Sequence, residues 1–354
     1  MAPSSPVGVH LVGSICGAQT AADSFRKCVS AFPSRLRRLP DGEPATRWSF
    51  TGWQRDVFSH SPVVLEQYKD DGDTVVPQQR ASPAEVAEVV KNMPPLKPKY
   101  DDFALESYAE FKRLRAEGTI PQGVRFLVCL PTVYCVMSLL RAEFAAAIEP
   151  LYTEALLGCL KRIEAEIPHE DLAVQVDVAA ETMLIQTPPG EVIFHFDKYW
   201  NDDAFEGSVE RIAALVGSVA PGVEVGMHIC YGDMKHKHFI QPKDTEDIVR
   251  ITNSVAQKAG RPINWVHFPV PRDRDDDAYF QPLEGLKTGS DTEFFIGLVH
   301  PHDEDGSRKR LEVAARHLKG KRYGVATECG LGRAPQDEFD TIAKISTAIS
   351  GPII

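Results

Sequence analysis

The chain has 354 residues, of which 43% are hydrophobic, 25% charged and 8% aromatic, a composition typical of a soluble globular protein. Its formal net charge of −11 argues against a nucleic-acid partner, and no apolar stretch approaches the ~20 residues of a membrane-spanning helix. The opening MAPSSPVGVH does not have the pattern of a signal peptide, and the seven cysteines show no close pairing. We therefore expect a cytoplasmic protein with reduced thiols whose partner is a small-molecule substrate.

Short apolar runs recur along the chain and predict eight β-strands. They occupy residues 8–13, 35–40, 125–130, 172–177, 223–229, 263–268, 294–299 and 323–328. Amphipathic segments lie between them, and several end in glycine, as helices commonly do. Apolar strands alternating with helices predict a parallel sheet covered on both faces. Eight such units favour an α/β fold, a closed (β/α)8 TIM barrel, with an open doubly wound sheet as the alternative.

The connection after the second predicted strand is too long for a single helix. Residues 41–124 contain a polar turn, an aromatic-containing segment and two predicted helices. Because no low-complexity linker flanks this stretch, we interpret it as an insertion that caps one mouth of the barrel. The prediction is therefore one barrel domain over residues 1–354.

Polar residues suited to chemistry follow the predicted strands. Active sites of (β/α)8 barrels lie at the carboxyl ends of the strands. The residues at or just beyond those ends include Ser14, Asp41, Glu43, Asp177, Glu181, His228, Cys230, His267, His300 and Cys329. The opposite ends carry mostly Lys, Arg, Pro and Gly, so the sequence predicts the functional site at the carboxyl-end mouth.

The stretch GMHICYGD, residues 226–233, places His228 and Cys230 two residues apart at the end of a strand. In extended backbone, such residues project to the same face. The last strand runs into ATECGLGR, where Cys329 precedes a Gly-Leu-Gly turn, and the sixth strand offers His267 beside the fifth. Convergence of two cysteines with one or two histidines predicts a zinc site.

The H-x-C after strand five and the Cys-Gly-Leu after strand eight resemble the catalytic barrel of cobalamin-independent methionine synthase, in the superfamily that includes uroporphyrinogen decarboxylase. VGS at 12–14 and VQVDVAAE at 174–181 are weaker matches to the same barrel. The resemblance implies zinc ligation by His228, Cys230 and Cys329. It also implies that Asp177 holds the amino group of an amino-acid thiol.

Two departures from this family stand out. The family has a ligating glutamate at the end of strand six, where this chain offers His267, and Val-Ala-Ala follows Asp177 in place of Glu-Pro-Ala. The substrate therefore need not be the amino acid of the family. The chain resembles only the catalytic half of the two-barrel enzymes and forms a divergent branch.

The resemblance implies a zinc-dependent methyl or alkyl transferase that acts on a thiol or similar small acceptor, with a folate or another methyl donor as co-substrate. His267 would serve as an exchangeable fourth ligand or as a base beside the metal, and Asp177 would orient the thiol. His300 is a further catalytic candidate. The remaining substrate-binding candidates are Ser14, Asp41, Glu43 and Glu181.

Two alternatives use the same residues. A zinc ion at this mouth would also suit a hydrolase or lyase that activates water or polarises a carbonyl. A closed zinc site with four protein ligands would instead clamp strands five, six and eight together in a non-catalytic binding protein.

Overall fold

The computed structural model describes residues 6–69, 74–187, 198–234, 237–238 and 240–353. Eight parallel strands form its central sheet: β1 (Val9–His10), β2 (Arg38–Pro40), β3 (Arg125–Pro131), β4 (Leu172–Val178), β5 (Glu224–Ile229), β6 (Trp265–Pro269), β7 (Glu293–Gly297) and β8 (Arg322–Ala326).

The hydrogen-bonded neighbours run in the order β1-β8-β7-β6-β5-β4-β3-β2. A parallel bridge between Val9 and Leu36 joins the two outer strands and closes the ring. The eight predicted strands and the (β/α)8 barrel are thereby confirmed, and the open doubly wound sheet is excluded. β4 shows why the ring forms, since all seven residues of LAVQVDV are buried, as a strand covered on both faces requires.

Helices cover the outside of the ring. They are α1 (Ala21–Ala31), α2 (Pro83–Lys91), α3 (Tyr100–Ala116), α4 (Val133–Met137), α5 (Ala142–Glu166), α6 (Ala180–Gln186), α7 (Ala204–Ser218), α8 (Glu246–Lys258), α9 (Asp277–Phe280), α10 (Glu304–His317) and α11 (Gln336–Ile349). Within the described part of the chain, none of them is long and apolar enough to cross a membrane.

The long connection between β2 and β3 has two parts. Its first part contains three short 3-10 helices, Ala45–Trp48, Gly52–Phe58 and Pro62–Val64, followed by α2. Its last helix, α3, packs against α1 and α5 and so takes the place of a barrel helix. Residues between 43 and 68 reach over the carboxyl ends of the strands, where they line a cavity together with residues of β4 and β5 and of the loop that follows β8.

The opposite end of the barrel is closed by an ionic network. Arg38 at the start of β2 is buried, and its guanidinium lies 2.7 Å from Glu224 of β5 and 3.2 Å from Glu293 of β7. The same guanidinium stacks 4.0 Å from the ring centre of Trp265. Because charge and a large side chain fill the amino end, the space available to a ligand lies at the carboxyl end.

Candidate metal centre

Three soft donors converge at the carboxyl end of the barrel. His228 lies in β5, Cys230 directly follows β5, and Cys329 follows β8; their donor atoms all lie within 4.8 Å of one another. The Sγ of Cys329 is 3.8 Å from Nε2 of His228. The N–H of Cys230 donates to the Val178 carbonyl at 2.8 Å, which fixes the end of β5 against β4. His228 and Cys230 are 4% and 5% exposed, so both are buried among other side chains.

This donor set fits a zinc ion. Tetrahedral zinc with Zn–S of about 2.3 Å and Zn–N of about 2.0 Å separates its ligand atoms by roughly 3.5–3.8 Å. The observed spacing requires only small side-chain movements to reach that geometry. The hydrogen bond from the Cys230 thiol lowers the pKa of Cys329 well below its ordinary value, which favours the thiolate that ligates metal.

His267 of β6 controls the tautomer of His228. Its Nε2 lies 2.9 Å from the Thr327 carbonyl, which can only accept, so this nitrogen carries the hydrogen. Burial lowers the pKa of His267 well below its ordinary value, so the ring is neutral and its Nδ1 is an acceptor. That Nδ1 lies 2.6 Å from Nδ1 of His228, which must therefore donate. The remaining nitrogen of His228, Nε2, is left with a free lone pair on the side of Cys329.

A cavity of about 520 Å³ opens beside these donors. Its lining combines the metal-binding candidates with the acidic Asp177 and Glu43, the basic Arg333, and small, polar or apolar residues of the barrel and the cap. The barrel contributes Val12, Gly13, Ser14, Cys135, Ser138, Leu139, Asp177, Ala179, Ala180, Met183, His228, Cys230, Gly232, Cys329, Gly330 and Arg333, and the cap contributes Glu43, Trp48, Ser49, Phe50, Thr51, Gly52 and Tyr68.

Two carboxyl groups with raised pKa values line this cavity. Burial and the neighbouring Glu43 raise the pKa of Asp177 well above its ordinary value. Burial and the neighbouring Asp41 raise the pKa of Glu43 to about 8. A ligand with a cationic group would relieve this repulsion, because a nearby positive charge stabilises both carboxylates.

A chain of buried hydrogen bonds orients Asp177. The Gln175 amide nitrogen donates to Asp177 Oδ1 at 2.8 Å and to the Val12 carbonyl at 2.7 Å. The Gln175 amide oxygen must then accept from Nε2 of His10, which lies 2.7 Å away. The carboxylate at the cavity is thus supported by residues inside the barrel.

Three other predicted substrate-binding residues differ in their surroundings. Ser14 lines the cavity, and its hydroxyl oxygen accepts the Gly332 N–H at 3.1 Å. Asp41 is paired with Arg47 at 2.7 Å and accepts the Ser107 hydroxyl at 2.7 Å, so it anchors the cap. It borders an adjoining cavity of about 30 Å³, which shares Glu43 and Asp177 with the larger one. Glu181 is fully buried, and its Oε2 lies 3.6 Å from the thiol of Cys135, which lines the larger cavity. Burial raises the pKa of Glu181 to about 7.

The predicted catalytic residue His300 lies to one side of the metal centre. Its Nε2 donates to the Val270 carbonyl at 2.9 Å, and its Nδ1 is 3.4 Å from Oε2 of Glu328. Glu328 precedes Cys329 in the chain, so His300 contacts the segment that carries a metal-binding candidate. His300 is not among the residues that line the larger cavity.

Several lining residues escaped the sequence interpretation. Trp48, Phe50 and Tyr68 belong to the cap, whose 3-10 helices have no long periodic pattern to identify a buried face. Cys135 reads as a core residue and is indeed buried, yet it borders the cavity. Its position shortly after the carboxyl end of β3 could have indicated that Cys135 lies at the mouth of the barrel.

The fold and the site together define a (β/α)8 barrel with two thiols and an imidazole gathered at its carboxyl-end mouth. No family model matches the sequence, and no curated protein does. The chain is similar in structure to a protein from Listeria monocytogenes provisionally named a vitamin B12-independent methionine synthase, with 12% identity, a TM-score of 0.54 and coverage of 98% of this chain and 99% of that one.

A second similar structure is the B12-independent methionine synthase from Shewanella sp. W3-18-1 in complex with selenomethionine. It shows 13% identity and a TM-score of 0.47, with coverage of 69% of this chain and 64% of that chain. The match therefore spans less than two thirds of the Shewanella enzyme. At 12% identity, the likeness to the Listeria protein establishes a shared barrel fold, in agreement with the resemblance predicted from the strand-end motifs.

Proposed function

We propose that this protein is a zinc-dependent alkyl transferase, most simply a methyltransferase, whose acceptor is a small thiol that carries an amino group. The observation that supports this proposal is the convergence of His228, Cys230 and Cys329 at the wall of a 520 Å³ cavity. A structural zinc site is closed by four protein ligands, whereas a catalytic site keeps a position for substrate. Three donors at the wall of an open cavity correspond to a catalytic site.

Bound zinc would keep an incoming thiol deprotonated at neutral pH, where a free thiol is mostly protonated. In the transfer, the thiol sulfur forms a bond to the alkyl carbon while the bond from that carbon to the donor breaks. The thiol proton leaves with the donor fragment or to solvent. A folate or another methyl donor would supply the alkyl group.

The side chains of this protein have separate roles in the proposal. His228, Cys230 and Cys329 hold the metal, and His267 fixes the lone pair of His228 toward it through the Nδ1 contact of 2.6 Å. His267 is then a positioning residue beside the metal and not a fourth ligand. Asp177 receives the amino group of the thiol, because Gln175 orients its carboxyl group and an ammonium group would stabilise the ionised form that burial disfavours.

Glu43 and Ser14 complete the acceptor site. Glu43 shares the cavity with Asp177, and a single ammonium group between the two carboxyls would stabilise the ionised form of both. The Ser14 oxygen accepts the Gly332 N–H, and its own hydrogen would donate to a ligand acceptor such as a carboxylate.

Metal analysis combined with zinc-edge X-ray absorption tests the proposal. The purified protein should contain zinc with two sulfur ligands, and homocysteine should add a third. The same amino acid without sulfur, 2-aminobutyrate, is the control and should leave the sulfur count unchanged. Absence of zinc would overturn the proposal, as would a shell that homocysteine does not alter; the latter result would favour the hydrolase or the closed structural site.

Substitution separates the metal-binding roles. Cys230→Ser should remove zinc from the protein, whereas Cys159→Ser, at a buried cysteine of α5 outside the cavity, should retain it. Equal zinc contents in the two variants would contradict the assignment of Cys230.

A further inference from the structure

His10 of β1 is a buried histidine inside the barrel that does not line the cavity. Its ring stacks on Phe295 of β7 with ring centres 5.1 Å apart, and the rings of Trp265 and His267 of β6 each lie 5.8 Å away. Side chains of two other strands therefore fix the position of the His10 ring. Any effect of this ring on a ligand has to pass through another side chain.

The Val12 carbonyl determines where every hydrogen lies in the chain of contacts from His10 to Asp177. This carbonyl can only accept, so the Gln175 atom 2.7 Å from it is the amide nitrogen. The same nitrogen donates its second hydrogen to Asp177 Oδ1 at 2.8 Å. The Gln175 amide oxygen then lies toward His10, whose Nε2 is 2.7 Å away and must carry a hydrogen. His10 thus holds the amide in the orientation that presents hydrogens to Asp177.

The direction of the Gln175 amide decides which kind of group Asp177 can bind. Gln175 and Asp177 are two residues apart on β4, so both project to the same face of the strand. If the amide were turned over, its oxygen would face both Asp177 Oδ1 and the Val12 carbonyl. Oxygens with no hydrogen between them repel, so Asp177 would then have to keep a proton. A protonated Asp177 carries no charge to attract a cation.

His10 supports Asp177 without adding a positive charge. Burial lowers the pKa of His10 to about 3, so the ring is neutral at physiological pH. A cationic ring in its place would offset the charge of the Asp177 carboxylate. Burial and Glu43 raise the pKa of Asp177, and the hydrogen bond from Gln175 opposes them. The chain of neutral donors therefore favours an ionised Asp177 whose charge is left for a ligand.

We propose that His10 is a positioning residue that gives the cavity its selectivity for ligands with an ammonium group, because it holds the Gln175 amide toward Asp177. The proposal rests on the proposed transferase function for the identity of the natural ligand, a thiol that carries an amino group. The selection of ammonium itself requires neither zinc nor sulfur. Part of the substrate selectivity then lies in a side chain that touches no ligand.

Two probes with the same carbon chain test the proposal. Butylammonium and 1-butanol are titrated against the full chain as purified, at neutral pH, and ligand-observed NMR gives the two affinities. The unmodified protein should bind butylammonium about tenfold more tightly, because a hydrogen bond from a charged donor to a buried carboxylate is among the stronger ones. His10→Phe keeps an aromatic ring but removes the donor to Gln175, so this preference should fall about two- to tenfold.

Further variants separate a positioning role from a merely structural one. His10→Gln provides an amide N–H that can donate to Gln175, so it should restore most of the preference. Asp177→Asn should abolish the preference, and adding His10→Phe to Asp177→Asn should change nothing further. A structural role would instead weaken the binding of both probes in either background. Gln175→Met fills a similar volume without an amide and should lower the preference with His10 in place.

Tyr152 provides a matched control. Its hydroxyl donates to the Gln54 amide oxygen at 2.6 Å, and the Gln54 amide nitrogen donates to the Pro98 carbonyl at 3.1 Å. Tyr152 and Gln54 are both buried, and neither lines the cavity. Tyr152→Phe therefore removes the same kind of hydrogen bond at another place and should leave the ammonium preference unchanged.

Three results would overturn the role of His10: no ammonium preference in the unmodified protein, an undiminished preference in His10→Phe, or an equal loss in Tyr152→Phe. Failure of the proposed function gives a different result. If homocysteine alters the zinc shell but His10→Phe keeps the preference, only the role of His10 is wrong. If the preference depends on His10 in a protein that holds no zinc, the ammonium site is real and the transferase proposal is wrong.

Discussion

His267 shows how one buried ring can determine what its neighbour binds. It donates to the Thr327 carbonyl and accepts from Nδ1 of His228. In His267→Phe, the Nδ1–H of His228 would lose its acceptor. The His228 ring would then lose the contact that fixes its orientation. We expect zinc affinity to fall about 10- to 100-fold, as is common when a partner of a ligating histidine is removed. Competition with a chromogenic chelator measures the change.

The control variants separate positioning from general disruption. His267→Gln retains an amide oxygen that can accept from His228, so its loss of affinity should be smaller than that of the phenylalanine variant. His317→Gln lies on α10, where the ring contacts Asp277 and Glu284, and should leave zinc affinity unchanged. Equal affinities of the unmodified protein and His267→Phe would refute the positioning role.

Glu43 makes stability depend on pH in a defined direction. Its pKa is raised to about 8 by burial and by Asp41, so the folded chain retains a proton between pH 4.5 and 8 that the unfolded chain has released. The free energy of unfolding should therefore decrease as pH rises through this window, by at most about 1.4 kcal/mol per pH unit. Glu43→Gln removes this contribution, so the variant should gain stability relative to the unmodified protein as pH rises.

Urea unfolding of both metal-free proteins between pH 5 and 8 measures this difference. The comparison cancels titrating groups that Glu43 does not influence, while Asp177, whose pKa Glu43 raises, changes the difference in the same direction. Parallel curves for the two proteins would show that Glu43 is ionised in the folded state, and the prediction would then be wrong.

At the level of elements, the ionic network at the amino end of the barrel connects strands that are distant in sequence. Arg38 of β2 joins Glu224 of β5 and Glu293 of β7 across the ring. Arg38→Met would keep the apolar packing on Trp265 but would remove the buried cation that Glu224 and Glu293 share, leaving them Arg125 and Arg37. We expect a loss of about 2 kcal/mol in the free energy of unfolding, because buried hydrogen bonds to charged groups are lost while each carboxylate keeps a second cation. Urea denaturation measures it.

A neighbouring arginine provides the matched control. Arg37 also pairs with Glu293, at 2.8 Å, but its side chain is half-exposed. Arg37→Met should therefore cost at most about 1 kcal/mol, the usual upper value for an exposed ion pair. Equal losses in the two variants would mean that burial of Arg38 does not set its contribution.

The success of the strand predictions varied with how much of each strand is buried. β4 was predicted at residues 172–177 and found at Leu172–Val178, because its apolar run continues through both covered faces. The first strand was predicted at 8–13 but pairs only at Val9–His10, since the chain then leaves the sheet for the mouth. The second was predicted at 35–40 but pairs only at Arg38–Pro40, where the buried Arg38 side chain joins Glu224 and Glu293.

Only those residues of the candidate site were predictable whose positions follow from local sequence spacing. His228 and Cys230 follow from the two-residue period of a strand, and Cys329 from the same position on another strand. The ring orientation of His267 depends on the stagger between β5 and β6, which no local pattern records. The backbone between residues 43 and 50 of the cap has positive φ angles at three residues that are not glycine. Sequence periodicity does not predict such a shape.

At the scale of the whole molecule, the barrel and the metal centre are separable. The eight strands form a ring through backbone hydrogen bonds, and the bridge between Val9 and Leu36 closes it without any of the donor residues. Cys230 and Cys329 lie beyond the ends of their strands. A metal ion is therefore not needed to hold the sheet together, in contrast to small zinc domains that unfold without it.

Removal of metal tests this separation. After dialysis against a chelator, the far-ultraviolet circular dichroism should be unchanged, since the helices and strands persist. Added zinc should then raise the melting temperature with zinc concentration, because it binds the folded chain, contributing about 2.7 kcal/mol at 100 times the dissociation constant. Cys230→Ser should show the same spectrum and no shift with zinc. If chelation unfolds the protein, the metal is a structural clamp between strands, and a closed site without room for a thiol becomes the better description of this mouth.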